Sequence, residues 1–299
     1  AAPTLIDINV DGRSIKAVAQ ISKQGFTYVF NRVSGEPVWP IEERAVPQSA
    51  VPGEKLSATQ PFPSRPAAFE PQGISDETLI DFTPELREEA LRNIEPFDYG
   101  PLFTPPSLRG AIQFPGWGGG GEWHGAAFDP ETSLFYVPSA SGPIVVQLTE
   151  ADASESNLRY RRGGARSVDG PQGLPLTKPP YGRITAINMN TGEHEWVVPH
   201  GEGIRQEIID KGILDPGPVG STHRVGPLLT QTLLLFAQID GERNLLRAFD
   251  KMTGSVIHEH ELPLAPQGTP MTYMVDGKQY ITIAVGGRID ARLVTLSLP

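Results

Sequence analysis

No cysteine occurs among the 299 residues, which excludes disulfides, thiolate nucleophiles and cysteine-ligated zinc together. Long apolar runs are missing too: the longest, Leu233–Ala237, falls far below the ~20 residues that a membrane helix needs. No signal-peptide pattern opens the sequence. Positive charge is in deficit: 25 Lys and Arg against 35 Asp and Glu leave a formal charge of −10. With no compact basic patch to override it, a nucleic-acid polyanion meets net repulsion, and no nucleic-acid partner is expected. In their place stand glycine and proline, 32 and 30 residues respectively, about a fifth of the chain against an average near 12%. Helix interiors do not tolerate that density. Hydrophobic residues still make up 38%, enough for a packed core, and the length suits one large domain or two smaller ones. The expectation is short strands and turns, with long proline-rich excursions.

Strand patterns open the chain at Leu5–Val10 and Ile15–Ile21 around an Asp11-Gly12 turn, and continue through the aromatic run Phe26–Phe30 and a short strand from Glu36 to Trp39. From Pro40 to about Gly110, prolines interrupt every regular pattern except Thr83–Arg92, where Thr83 suits an N-cap and Pro84 the first helical position. Strand signals return within Glu122–Pro138 and at Ile144–Leu148, whereas Thr149–Tyr181 is polar, rich in glycine and proline, and reads as loop. Further strands are expected at Arg183–Met189, Glu195–Val198, Leu228–Ala237, Asn244–Phe249, Val256–Leu262, Met271–Val275, Gln279–Val285 and Ala291–Leu298.

Three segments share one pattern: Phe26–Trp39, Arg183–Trp196 and Leu245–His258. In each, a strand ends in Asn31, Asn188 or Asp250, Ser/Thr-Gly follows, and Trp39, Trp196 or His258 comes four residues after the glycine. The Asn or Asp side chain closes an Asx turn, the glycine takes a positive φ, and the ring begins the next strand. Such strand–turn–strand repeats are the signature of propeller blades, although an ordinary β-sandwich with similar hairpins remains open on this pattern alone.

More specific segments are Pro3-Thr4-Leu5, Ser22–Phe26, Gly35–Arg44, Phe103–Ser107, Gly268–Tyr273 and Asp276–Tyr280. With the repeat, they make the chain resemble the quinoprotein dehydrogenases that use pyrroloquinoline quinone (PQQ), nearest the membrane-associated quinoprotein glucose dehydrogenases. The resemblance implies an all-β fold, a partial eight-bladed β-propeller of about half the ring, with long proline-rich loop insertions. Residues 1–40 would be blade strands, 41–110 a proline-rich insertion with a short helix, and 111–299 further blades with a loop excursion at 149–181. It further implies oxidation of a sugar or alcohol, a glucose-like aldose first, by hydride transfer to PQQ beside a calcium ion. A quinone or cytochrome would take the electrons, in the periplasm, with membrane association through a preceding region. The chain resembles the C-terminal half of such an enzyme. In the family, a Trp-Asp pair carrying the catalytic Asp precedes the segment matching Ala2–Leu5, and most calcium ligands also lie upstream. No catalytic or metal-ligating residue is therefore assigned, and a missing N-terminal half or a second copy is expected to complete the ring. The rival reading is a non-catalytic propeller scaffold, and a third is a carbohydrate-binding β-protein.

The cofactor-binding residues implied by the resemblance are Lys23, Gly120, Gly121, Glu122, Trp123, Arg224 and Val225. Lys23 matches the family's cation at the reactive quinone oxygens, where positive charge stabilises the reduced ring. Gly116–Gly125 is the densest glycine stretch, and glycines let a backbone approach a planar ligand closely. Within it, Glu122 approaches cofactor or substrate, while Trp123 is expected to pack between blades more than to touch the ligand. Arg224-Val225-Gly226-Pro227 matches a segment near the quinone carboxylates. Pro138 stands where relatives carry a cofactor-contacting Asn and has no amide to offer. His258 and His260 alternate along a strand, a spacing that suits a metal but more often means packed or solvated rings.

Overall fold

The computed structural model describes residues 1–297, so Leu298 of the expected last strand lies outside the described residues. The chain opens with an antiparallel sheet of β1 (Thr4–Val10), β2 (Arg13–Ile21) and β3 (Thr27–Asn31). Along β1, Ile6, Ile8 and Val10 are buried while Leu5, Asp7 and Asn9 face outward, the period of two that a half-buried strand requires. The strand expected at Glu36–Trp39 is reduced to one bridge between Phe30 and Pro37, because prolines at 37 and 40 have no N–H for a ladder.

The insertion is more regular than its prolines suggest. β4 (Ile41–Ala45) and β5 (Thr59–Pro63) form a two-stranded ribbon in which Pro61 opposes Glu43 and Pro63 opposes Ile41. A two-stranded ribbon leaves half of its N–H groups unpaired, so proline is accommodated there. The expected helix is present as α1 (Pro84–Ile94), with the Thr83 hydroxyl accepting from the Leu86 N–H. It buries Leu86, Ala90 and Ile94 in a satellite core with Ile80, Ile112 and Leu176.

Beyond it come β6 (Ala111–Gln113), β7 (Ala127–Asp129), β8 (Leu134–Ala140), β9 (Ile144–Glu150) and β10 (Tyr160–Ser167). β10 pairs with β9 and β9 with β6, so the excursion expected as loop at 149–181 carries a strand. Its arginines stay exposed; Arg162 lies over the Trp117 ring at 4.4 Å and Arg166 over Phe97 at 5.0 Å. β11 (Gly182–Asn188) and β12 (Glu193–Pro199) complete a four-stranded sheet in the order β12-β11-β8-β7. After α2 (Arg205–Asp210), a sheet of β13 (Leu228–Leu229), β14 (Leu233–Asp240), β15 (Arg243–Asp250) and β16 (Val256–Glu261) follows. Last come β17 (Pro266–Val275), β18 (Lys278–Val285) and β19 (Arg292–Ser297).

Four of these sheets stack in series. Ile6, Ile8 and Ala17 of the first pack on Phe135, Val137 and Ile187 of the second. Leu134, Tyr136 and Ile184 on the second sheet's other face meet Leu234, Phe236 and Phe249 of the third. Leu235, Ala237 and Leu246 then meet Ile283 and Val285 of the fourth. The first strands touch one another in turn, β1 with β7, β7 with β13 and β13 with β17. The sheets therefore radiate from a shared inner line, and four is the number that half of an eight-bladed ring requires. On the two outermost faces Leu5, Met271, Tyr273 and Leu293 are exposed. No helix among the described residues is long and apolar enough to cross a membrane.

The three repeat turns are built alike. Asn31 Oδ1 accepts from the Val33 N–H at 2.9 Å, Asn188 Oδ1 from Asn190 at 3.0 Å, and Asp250 Oδ1 from Met252 at 2.8 Å. Gly35, Gly192 and Gly254 all sit at positive φ. Asp129 closes a fourth such turn, with Ser133 at φ 61° in the glycine's place. Gly254 also lies against the neighbouring sheet, where an added Cβ would stand 2.9 Å from Trp196. Gly254→Ala is expected to destabilise by about 1–3 kcal/mol through overpacking. Gly35→Ala, where the added Cβ meets nothing within 4 Å, keeps only the backbone strain. Urea unfolding of both variants checks this; equal losses would refute the docking role of Gly254.

Candidate cofactor site

The β2–β3 turn is closed by the Ser22 N–H donating to Phe26 O and the Gly25 N–H to Ser22 O, which leaves Lys23 at its tip. The glycine loop docks on this turn through its backbone: the Gly120 N–H donates to Lys23 O at 3.0 Å and the Gly121 N–H to Ser22 O at 3.1 Å. Contact is so close that a Cβ on Gly119 would stand 2.5 Å from Lys23 Cβ, and one on Gly120 2.5 Å from Glu70 Cγ. Gly119 is also at φ 69°. Larger residues are excluded here by space and backbone together.

Lys23 Nζ donates to Trp117 O at 2.9 Å and lies 3.3 Å from Glu122 Oε1. The lysine is largely exposed and the glutamate mostly buried. Burial acts to raise the Glu122 carboxyl, but the Lys23 ammonium, aided by the Trp123 N–H and Arg224, outweighs it and holds the group below the usual carboxylate range. The pair is ionised, with its cation facing solvent beside the loop. A cavity of about 400 Å³ opens there, lined by Lys23, Gln24, Leu102, Pro115, Gly116 and Trp117.

Arg224 approaches the loop from the opposite side, its Nη2 donating to Gly119 O at 3.3 Å and to Ala140 O at 3.5 Å. Beneath the loop lies Glu70, 4% exposed, with Oε2 3.7 Å from Arg183 Nη2. Burial pushes the Glu70 carboxyl up, opposed by Arg183, Ser139 and Arg224. His124 is buried, and its Nε2–H donates to Pro138 O at 3.0 Å. Its pKa is lowered, principally by burial, so the ring is neutral at pH 7. A second cavity of about 1300 Å³ begins at Arg224 and runs past His223, Tyr181 and Asp240.

The expected residues Lys23, Gly120, Gly121, Glu122 and Arg224 thus converge on one loop. Trp123 does not pack between blades: its side chain is 55% exposed beside His124, because the segment leading into β7 turns its ring outward. Val225 is 1% exposed, its side chain in the core between the second and third sheets. Sequence reasoning missed Glu70, Ser139 and Arg183. A lone acid within Ala67–Gly73 and an arginine inside an apolar strand were the available signals. His258 and His260 are solvated on β16, and no group of three or more His, Asp or Glu among the described residues is placed to hold a metal ion.

The donor set suits a planar anionic ligand. The loop carries the exposed Lys23 on one side and the half-buried Arg224 on the other, Lys23 bordering the smaller cavity and Arg224 the larger. Glu70 Oε1, Ser139 Oγ, Arg183 Nε and Arg224 Nε are buried there without a hydrogen-bond partner among the described residues, and buried polar atoms are rarely left so.

Residues 1–281 match the family model described as "PQQ: Glucose/ethanol/alcohol dehydrogenase, beta-propeller domain". The quinate/shikimate dehydrogenase (quinone) of Acinetobacter baylyi is 30% identical over 95% of this chain and 38% of its own length. The quinoprotein glucose dehydrogenase of Escherichia coli is 30% identical over 96% of this chain and 38% of its own length. Among solved structures, the quinohemoprotein alcohol dehydrogenase from Comamonas testosteroni superposes with a TM-score of 0.54 at 20% identity, covering 95% of this chain and 34% of that one. The chain spans less than half the length of each of these relatives.

Proposed function

Because the chain belongs to the PQQ-dependent glucose/ethanol/alcohol dehydrogenase β-propeller family, we propose that it forms one side of a quinoprotein dehydrogenase site, and that PQQ lies against the glycine loop between Lys23 and Arg224. The observation that carries this reading is the convergence of Lys23, Glu122 and Arg224 on Gly119–Gly121. PQQ, when bound, supplies an ortho-quinone that accepts a hydride equivalent from an alcohol carbon. Lys23 offers N–H donors and positive charge where an oxygen gains electron density. Glu122, held as an anion, pairs with the lysine ammonium and aims it. Arg224 bears on ligand carboxylates from the other side, and the glycines bring backbone within van der Waals reach of a flat ring. The described residues do not fit a calcium ion by themselves, and no step is assigned to one.

The substrate of the assembled enzyme is a sugar or alcohol, a glucose-like aldose first, with electrons passing to a quinone or cytochrome in the periplasm. Further polypeptide, a preceding segment or a second copy, completes the ring. The exposed Met271, Tyr273 and Leu293 on the outermost sheet support this, since apolar faces of that kind are normally covered. PQQ titration followed by absorbance, with and without calcium, tests the reading. Saturable binding is expected, weakened about tenfold or more by Lys23→Ala through loss of a charge-assisted hydrogen bond. A verified monomer is expected to show no dye reduction with sugars. Absence of PQQ binding under all conditions would favour the non-catalytic scaffold.

A further inference from the structure

β10 brings an arginine to the candidate site from a segment far from its motifs in sequence. In the pairing of β10 with β9, Arg162 stands opposite Leu148 and Gly164 opposite Gln147, so Gly163 is an extra residue, a β-bulge. Bulges bend a strand and re-aim the side chains beside them. A Cβ on Gly163 would stand 2.5 Å from Thr149 Cγ2, so only glycine fits the bulge. Beside it the Arg162 guanidinium lies 4.4 Å from the centroid of the Trp117 ring, within range of a cation–π contact. The ring is held at its edge as well, its Nε1–H donating to Gln113 Oε1 at 3.1 Å. One contact on its face and one on its edge thus fix the indole in place. The carbonyl of the same residue accepts from Lys23 Nζ at 2.9 Å, while Glu122 stands 3.3 Å from that ammonium on its own side. A lysine stem is flexible, and these two contacts hold its charge beside the cavity that Lys23 and Trp117 line together.

We propose that Arg162 is a positioning residue for Lys23: by clamping the Trp117 ring it holds the carbonyl that, with Glu122, aims the Lys23 ammonium at the cavity. The inference deepens the proposed PQQ site and rests on that reading for its consequence, tighter binding of the quinone. The rival role for Arg162 is to blunt an open edge, since β10 is the outer strand of its sheet and charge there discourages pairing with other chains. That role needs neither the indole nor the lysine.

The first measurement requires no quinone. Amine acylation of the whole chain, followed by mass spectrometry, reports how freely each lysine reacts. Arg162→Ala is expected to speed acylation of Lys23 about twofold to fivefold, the range of one exposed cation–π contact, with the exposed Lys16 and Lys55 unchanged as internal references. Arg162→Lys, which keeps a cation over the ring, is expected to recover most of the wild-type rate. The second measurement is absorbance titration with PQQ. Arg162→Ala is expected to weaken binding by the same factor, and to have no further effect in a Lys23→Ala background, because it acts through that residue. Unchanged Lys23 acylation in Arg162→Ala, or a loss of PQQ affinity just as large without Lys23, would overturn the inference and leave the PQQ site standing. Failure of the wild-type protein to bind PQQ, with Lys23 acylation still responding to Arg162→Ala, would overturn the PQQ site and leave the clamp on Lys23 standing.

Discussion

Arg247→Met is expected to destabilise the fold by about 3–5 kcal/mol, the cost of leaving a buried charge without its partner. Arg247 Nη2 lies 2.6 Å from Asp240 Oδ2, both side chains almost wholly buried, and its Nε lies 2.6 Å from Glu259 Oε1. Asp240 does a second job. Its Oδ2 accepts from the Glu202 N–H at 3.0 Å and its Oδ1 from the Gly203 N–H at 2.7 Å. One carboxylate thus ties β14 to β15 and both to the segment that leads through His223 to Arg224. Removing the arginine leaves the buried Asp240 carboxylate with backbone donors alone, and the ladder and the connecting segment loosen together. Urea unfolding of Arg247→Met, Asp240→Asn and the double variant checks this. The double variant is expected to lose well under the sum of the single losses, since the second change removes a charge already stranded. A single-variant loss below about 1 kcal/mol would show the network to be dispensable.

What could be read from the sequence was what short-range chemistry decides. Asn31, Asn188 and Asp250 announce their turns because the hydrogen bonds they accept come from residues two or three positions on. Thr83 announces α1 for the same reason. β8 was legible as a strand, but its burial between two sheets is visible only in the fold. β10 was illegible because its arginines say nothing of pairing; its order comes from β9 and from the Trp117 and Phe97 rings, which belong to distant segments. The site divides in the same way. Lys23, Glu122 and the glycines lie in motifs that sequence can mark, whereas Glu70 meets Arg183 only because the insertion folds back under the loop. Trp123 went wrong because a tryptophan beside a strand suggests packing, while its exposure depends on how the chain enters β7.

Acid is expected to weaken the protein through His200, and His200→Phe to remove much of that sensitivity. His200 is 2% exposed, in edge contact with Phe236 at 5.0 Å between centroids. Burial, with Arg247 adding to it and Asp240 opposing, lowers its pKa from 6.5 to about 3. The unfolded chain therefore takes up a proton near pH 6.5 that the native state refuses until about pH 3. Stability is full above 6.5 and falls as pH drops through that value, by up to about 1.4 kcal/mol per pH unit and roughly 4–5 kcal/mol in all. His124 and His223 are displaced in the same direction, principally by burial, and add to the slope. Carboxylates such as Glu122 and Asp129, held low by Lys23 and Lys251 against the opposing effect of burial, lose their contribution only at lower pH. The decisive window is thus pH 7 to 5.5. There, urea midpoints of the wild-type protein are expected to fall with pH and those of His200→Phe to fall much less, since phenylalanine fills the aromatic site beside Phe236 without a proton to exclude. Equal slopes in that window would show that His200 is protonated in the folded protein, and that the buried Arg247 charge beside it is compensated by Asp240 far more completely than the geometry implies.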